Sequence, residues 1–334
     1  MTFTYNNVYI DDSSTVAGPY EKDGNFGAYF DKTYNDLYFG EKSFELAEQK
    51  SVSDAIKILL KKVKLKKENI DLVLSGDLSN QITATSFGSL NIGKSYMGLY
   101  NACATSSEEI IIGSNFIESG YINNALCIVS SHNMTSEKQF RNPTEYGAPK
   151  PSSATFTATG AATILLSNKK SDIKIESATI GRLIDYNQKD PNHMGAVMSG
   201  AAAYTINKHL KDLKRKPNYY DLILTGDLGI YGKKILVDYL KSEYKIDISK
   251  NYDDCGAMLY DLEKQKECLS GGSGPVCSAL INYSYVLDKL RNKELKRVLL
   301  VPTGAMFSQN SIFQKQNILA IAHAVSLEVV DVTN

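Results

Sequence analysis

Cys103 stands in the stretch NACATSSEE, between two alanines and just ahead of a run that reads as a helix from Thr105 onward. A thiol at a helix N-terminus meets unpaired N–H groups and the positive end of the helix dipole, and both favour the thiolate. The chemistry on offer is attack on an acyl group; the plainer reading is a small buried residue, as most free cysteines are. Acyl transfer also needs groups that move protons and hold a developing oxyanion. The four histidines, His132, His193, His209 and His323, are the first candidates. His132 follows a strand read over 126–129, the kind of strand end where ligand crevices form, and faces either the pocket or the core. His193 falls in a loop, His209 on the outer side of a helix, and His323 in the apolar run AIAHAV. They lie far apart without metal-ligand spacing, so no metal and no cofactor is expected.

The whole chain limits the chemistry further. Its 334 residues carry 37 basic and 37 acidic side chains, a balance that offers no net field to nucleic acid or an anionic membrane. Basic charge is mostly lysine, so an arginine inside a motif-like stretch, as Arg141 is, carries more information. Five cysteines without a C-x-x-C pair fit a reducing compartment better than a disulfide framework. No apolar run approaches the roughly 18 residues of a spanning helix. The opening MTFTYNNVYIDD has no signal-peptide pattern.

Two segments repeat each other. IDLVLSGDLS from Ile70 and YDLILTGDLG from Tyr220 share six of ten residues, and each reads as a buried strand ending in a Gly-Asp turn. An amphipathic helix precedes each, with Ile56, Leu59, Leu60 and Val63 in the first and Ile206, Leu210 and Leu213 in the second. A turn, a helix and another strand follow each. This pattern predicts an α/β fold of two duplicated halves, residues 1–170, which carry Cys103, and 171–334. Asp77 and Asp227 recur with the duplication, which favours a shared turn-capping job; a calcium-binding oxygen is the alternative for Asp227.

With a cysteine opening a first-half helix, the duplicated unit resembles the thiolase fold, five layers α-β-α-β-α around two buried central helices. HMGAVMSGAAAYTINKHL from His193, the Gly226-Asp227 turn and LSGGSGPVCSA from Leu269 are similar to landmarks of that fold. Over nearly its whole length the chain resembles the stage V sporulation protein AD family of spore-forming bacteria. FGEKSFELAE, YNACATSSE, SSHNMTSEKQFRNPTEYG and VPTGAMFSQ carry that resemblance. It implies binding of dipicolinic acid (pyridine-2,6-dicarboxylate), with or without calcium, for uptake into the developing spore and release at germination. The implied partners are membrane proteins of the same operon, and the implied place is the spore inner membrane, peripherally. The fold implies a homodimer paired through a first-half sheet edge.

The resemblance also bears on Cys103. In ketoacyl-synthase-III-type relatives the proton-handling His and Asn come from the loop after the second-half strand and from the glycine-rich loop. Here those loops read Gly226-Asp227 and Gly271-Gly272-Ser273-Gly274, without histidine. Cys103 is therefore expected to be a vestigial nucleophile in a binding protein. An acyl-CoA-dependent acyltransferase using Cys103 with a displaced base such as His132 is the alternative. For a flat dianion the expected contacts are Cys103, Gly272 and Ser273 in the glycine-rich nest, Thr105 and Ser106 at the helix start, His132, Asp227, Lys138 and Arg141, with Lys150 nearby. The plainer readings are glycines that let two helices approach and an Arg141 paired with Glu137 or Glu145.

Overall fold

Valine, isoleucine and leucine run together in this chain where both faces of a sheet are covered. In the computed structural model, which describes residues 1–140 and 149–331, the two repeated segments form the strands Leu72–Gly76 and Leu222–Thr225. Each lies between two parallel neighbours. Leu72–Gly76 pairs with Ser95–Gly98 and Asn124–Ser131, and Leu222–Thr225 pairs with Tyr252–Asp254 and Arg297–Val301. Two antiparallel strands complete each set: Gly160–Ser167 then Tyr9–Ala17 in the first, Ala324–Val329 then Ile173–Thr179 in the second. Taken in chain order within its half, each five-strand path runs third, second, fourth, fifth, first. The sequence duplication is thus a duplication of topology. The two sets touch where Tyr9 pairs with Lys174 and Ile10 with Ile173, so hydrogen bonding continues from one into the other.

A repeated aspartate does the same job in each half. Asp71 Oδ2 accepts from the N–H groups of Asn123 and Asn124 at 2.8 and 3.1 Å, and Asp221 Oδ2 accepts from those of Lys296 and Arg297 at 2.6 and 2.9 Å. Each ties the entry of its strand to the entry of the next.

Helices fill the layers. Phe44–Lys62 starts at Ser43, whose hydroxyl accepts from the Leu46 N–H at 3.2 Å, and covers the outer face of the first set. Met194–Asp212 covers the outer face of the second, with Gly229–Tyr239 packed beside it. Between the sets lie Thr105–Glu118 and Pro275–Ile281, in contact with each other, and every residue of the latter is buried. The largest apolar cluster surrounds these two helices, and separate clusters lie beneath the outer ones. This is the five-layer α-β-α-β-α arrangement. Truncating a central contact such as Ile111 to alanine costs roughly 2–5 kcal/mol. That rigidity is what fixes the starts of the central helices, where Cys103 and Ser273 sit.

Candidate functional site

A cavity of about 500 Å³ opens where the segments following the parallel strands converge. Leu78 follows Leu72–Gly76, Ser136 and Phe140 follow Asn124–Ser131, Asp227 follows Leu222–Thr225, and Phe307 follows Arg297–Val301. Cys103 and Ser273 reach it from just ahead of the two central helices. Met194, Met198, Phe140, Phe307 and Phe313 make much of the wall apolar, while the floor is polar.

Cys103 lies half-buried in that floor. Ala102 before it has a φ of 48°, a left-handed conformation that costs a non-glycine residue about 1–2 kcal/mol. Ser273 Oγ stands 3.9 Å from Cys103 Sγ and donates to Asp227 Oδ2 at 3.0 Å. Thr303 Oγ1 donates to Asp227 Oδ1 at 2.7 Å, and the Gly274 N–H donates to Oδ2 at 3.4 Å. Gly274 has a φ of 98°, and a Cβ there would stand 2.7 Å from Ser131 Oγ, so this turn requires glycine.

The electrostatics follow from that geometry. Burial pushes the Asp227 carboxyl up to about 6, against hydrogen bonds from Cys103, Thr303 and Ser273 that favour its charged form. Burial, and then the neighbouring Asp227, push the Cys103 thiol well above its usual range. The helix-start advantage expected of this thiol is outweighed, and Cys103 is protonated at neutral pH.

None of the four histidines lines the cavity. His132, an expected contact, is buried against the rings of Phe44 and Phe39. Its Nδ1 accepts from the Met134 N–H at 3.2 Å, which leaves Nε2 to donate to Leu37 O at 2.8 Å. Burial holds it down to about 4. His209, expected at the surface, is instead enclosed, with Thr179 Oγ1 at 2.8 Å and Tyr220 Oη at 2.7 Å. The strand Ile173–Thr179 and Tyr220 close over the helix face that periodicity alone leaves open. His323 is buried, accepts from the Gly181 N–H at 3.1 Å and lies 2.6 Å from the Asn101 amide. His193 caps Met194–Asp212, accepting from the Ala196 N–H at 3.3 Å.

Of the other expected contacts, Cys103, Asp227 and Ser273 come together, while Thr105, Ser106, Gly272 and Lys138 do not reach the cavity. Thr105 and Ser106 are buried in the helix start, away from the cavity wall. Thr105 Oγ1 donates to Ala102 O at 2.7 Å and accepts from the Asn101 N–H at 3.0 Å, serving the unpaired groups of the helix end. Gly272 is buried, paired with Phe156 in a short strand, and only its neighbour Ser273 reaches the cavity. Lys138 turns outward to Glu45 Oε1 at 2.7 Å and over the Phe44 ring. Lys150 does line the cavity, with Nζ 2.7 Å from Oε1 of Glu137, another lining residue. Arg141 lies outside the described residues.

The duplicated aspartates part company. Asp77 accepts from the N–H groups of Ser79 and Thr85, both at 2.7 Å, and holds the turn into Thr83–Ser89. In the second half that work passes to Asp254, which accepts from the N–H groups of Leu228, Gly229 and Ala257. Asp227 is thereby free to face Cys103. Among the described residues no cluster of His, Cys, Asp and Glu is arranged to hold a metal ion.

A duplicated five-layer fold with a cysteine at the start of a central helix defines a thiolase-like protein. The chain superposes on 3-oxoacyl-(acyl-carrier-protein) synthase III from Aquifex aeolicus VF5 with a TM-score of 0.58 and 11% identity, covering 96% of this chain and 99% of that one. It superposes on cerulenin-bound OleA from Xanthomonas campestris with a TM-score of 0.60 and 16% identity, covering 97% and 98%. At those identities the likeness concerns the fold alone. In sequence, the profile of Stage V sporulation protein AD (SpoVAD) matches residues 1–328. Stage V sporulation protein AD of Bacillus subtilis (strain 168) is 42% identical over 321 residues, 96% of this chain and 94% of that protein. The chain belongs to the stage V sporulation protein AD family.

Proposed function

We propose that this protein binds dipicolinic acid, pyridine-2,6-dicarboxylate, in the cavity above Cys103 without catalysing a reaction on it. It serves uptake of the acid into the developing spore and its release at germination. The observation that carries this reading is the floor of the cavity, where Cys103 faces Asp227 and Ser273 and no imidazole is in reach. A thiol held protonated by burial, and further by a neighbouring acid, makes a pocket wall and a poor nucleophile. The rings of Phe140 and Phe307, with centroids 5.3 Å apart, suit a flat heteroaromatic, and Ser273, Tyr100 and Lys150 suit its carboxylates. Lys150 already faces Glu137, so the acid enters at least electrostatic cost when calcium neutralises it.

The protein works as a homodimer, peripherally at the spore inner membrane, with membrane proteins of the same operon as partners. Family membership supports that placement, and among the described residues no helix is long and apolar enough to cross a membrane. The dimer is supported by the edge strand Ser95–Gly98, exposed along its length and flanked by exposed Phe87 and Leu90.

Calorimetric titration with pyridine-2,6-dicarboxylate, with and without calcium and against the 2,4-isomer, tests the reading. Saturable binding selective for the 2,6-isomer is expected; no binding, or equal binding of both isomers, overturns it. The competing acyltransferase predicts a stoichiometric acyl adduct by intact mass after incubation with acyl-CoA, lost in Cys103→Ser. None is expected.

A further inference from the structure

One cavity-lining hydroxyl has no partner among the described residues. Ser136 is 5% exposed, its hydroxyl makes no hydrogen bond, and it lines the same cavity as Cys103 and Ser273. Buried hydroxyls are ordinarily satisfied, and a helical serine ordinarily bonds back to the carbonyl four residues earlier. That carbonyl is His132 O, which already has two close neighbours. The Ser136 N–H donates to it at 3.0 Å, and Thr135 Oγ1, whose one proton goes to Glu48 Oε2 at 2.8 Å, stands 3.0 Å from it.

Four other polar side chains of the helix Asn133–Phe140 are committed. Asn133 Nδ2 donates to Thr157 O, Thr135 Oγ1 donates to Glu48 Oε2, Glu137 holds Lys150, and Lys138 holds Glu45. The other unpartnered buried side chains, among them Tyr283 and Ser278, do not line the cavity. A buried hydroxyl without a partner, on a side chain that borders the cavity a step along the helix from the Glu137–Lys150 pair, marks where a ligand's polar group can be met by a turn of the serine side chain.

We propose that Ser136 is a ligand-contacting residue, and that its hydroxyl, turned toward the cavity, donates to an acid oxygen of the bound molecule. Resting on the binding function proposed above, this makes the cavity a two-point reader of a diacid. One acid group lies over the Cys103–Ser273 floor and the other meets Ser136 beside Lys150. A planar acid whose second carboxylate points elsewhere leaves the Ser136 hydroxyl buried and unpaired, which is a source of discrimination.

The test compares wild type, Ser136→Ala and Ser136→Thr, titrated with pyridine-2,6-dicarboxylate, together with thermal unfolding of each without ligand. Ser136→Ala should weaken binding about tenfold, the effect of a hydrogen bond to a charged group, and Ser136→Thr, which keeps the hydroxyl, should bind more tightly than Ser136→Ala. Undiminished affinity in Ser136→Ala, with wild type binding normally, overturns the inference and leaves the binding function standing. If wild type does not take the acid, the binding function fails, and the ligand-free proteins decide on Ser136. An unchanged or higher unfolding temperature for Ser136→Ala shows a hydroxyl kept unpaired for a ligand. A lower one shows an internal partner and overturns the inference.

Discussion

Cys103 and Asp227 are joined through one hydroxyl: Ser273 Oγ stands 3.9 Å from the thiol sulfur and 3.0 Å from the carboxylate. The three residues come from a first-half helix start, a second-half strand end and the turn ahead of the second central helix. Their meeting is therefore a product of the duplicated fold. It inverts the logic of an acyl-accepting cysteine. An imidazole beside a thiol takes its proton, whereas a carboxylate there opposes ionisation by its charge.

Removing that charge should release the thiol. In Asp227→Asn, alkylation of Cys103 by iodoacetamide at pH 8 should be several-fold faster, because the Asp227 charge adds to burial in holding the thiol protonated. The other four cysteines are buried, so the label reports Cys103. An unchanged rate would mean that burial alone holds the thiol protonated.

Asp227 also links the ligand to the proton. Its carboxyl titrates near 6, and a dianion placed against it raises that value further. Binding then takes up a proton, and affinity for pyridine-2,6-dicarboxylate should fall between pH 6 and pH 8, by up to about tenfold per unit. Asp227→Asn should flatten the dependence. Titrations in buffers of differing ionisation enthalpy count the proton directly, and a count of zero at pH 7 would remove Asp227 from the binding step.

His132 should behave as a core residue. Its folded value near 4 lies below the ordinary 6.5, so the unfolded chain binds the proton more readily. The stability this histidine contributes is full above pH 6.5 and is lost as pH falls toward 4, amounting to about 2 kcal/mol by pH 5. The stability gap between wild type and His132→Gln, measured by urea unfolding, should narrow by about that amount from pH 7 to pH 5. Ligand affinity should not change. A gap independent of pH would place His132 in contact with water.

Much of the fold was legible because the repeats encode local geometry. Buried strand runs, amphipathic helices and the Asp71 and Asp221 ties depend on neighbours close in sequence or on the next strand. The site depends on partners that local pattern does not encode. Asp77 and Asp227 occupy matching positions, yet Asp227 takes its partners from Ser273 and Thr303, on distant loops, while Asp77 takes Ser79 and Thr85. His209 was expected outside because periodicity shows a face and not what packs on it. Lys138 and Lys150 are equal as charges, and only Glu45 and Glu137 decide which one turns into the cavity. Tyr100, Ser136, Thr303 and Phe307 had no spacing to mark them; their one signal was membership of the longer motif-like segments that carry the family resemblance.

The edge strand supplies the last prediction. Among the described residues Ser95–Gly98 pairs with Leu72–Gly76 and ends the sheet, with no strand on its outer side. All four of its residues are exposed, including Tyr96 and Met97. Tyr96 is held in place, its hydroxyl accepting from Ser75 Oγ at 2.9 Å and lying 2.8 Å from Ser86 Oγ. An apolar strand edge left open invites pairing, and a two-fold pairing uses the same patch on both copies. One substitution there is therefore felt twice. Met97→Arg places two like charges across the axis, and light scattering should report a mass of 36.8 kDa where wild type shows twice that value. Circular dichroism should be unchanged, because Met97 is not a core residue. A wild-type protein that is already monomeric would overturn the homodimer, and a Met97→Arg variant that stays dimeric would move the interface elsewhere.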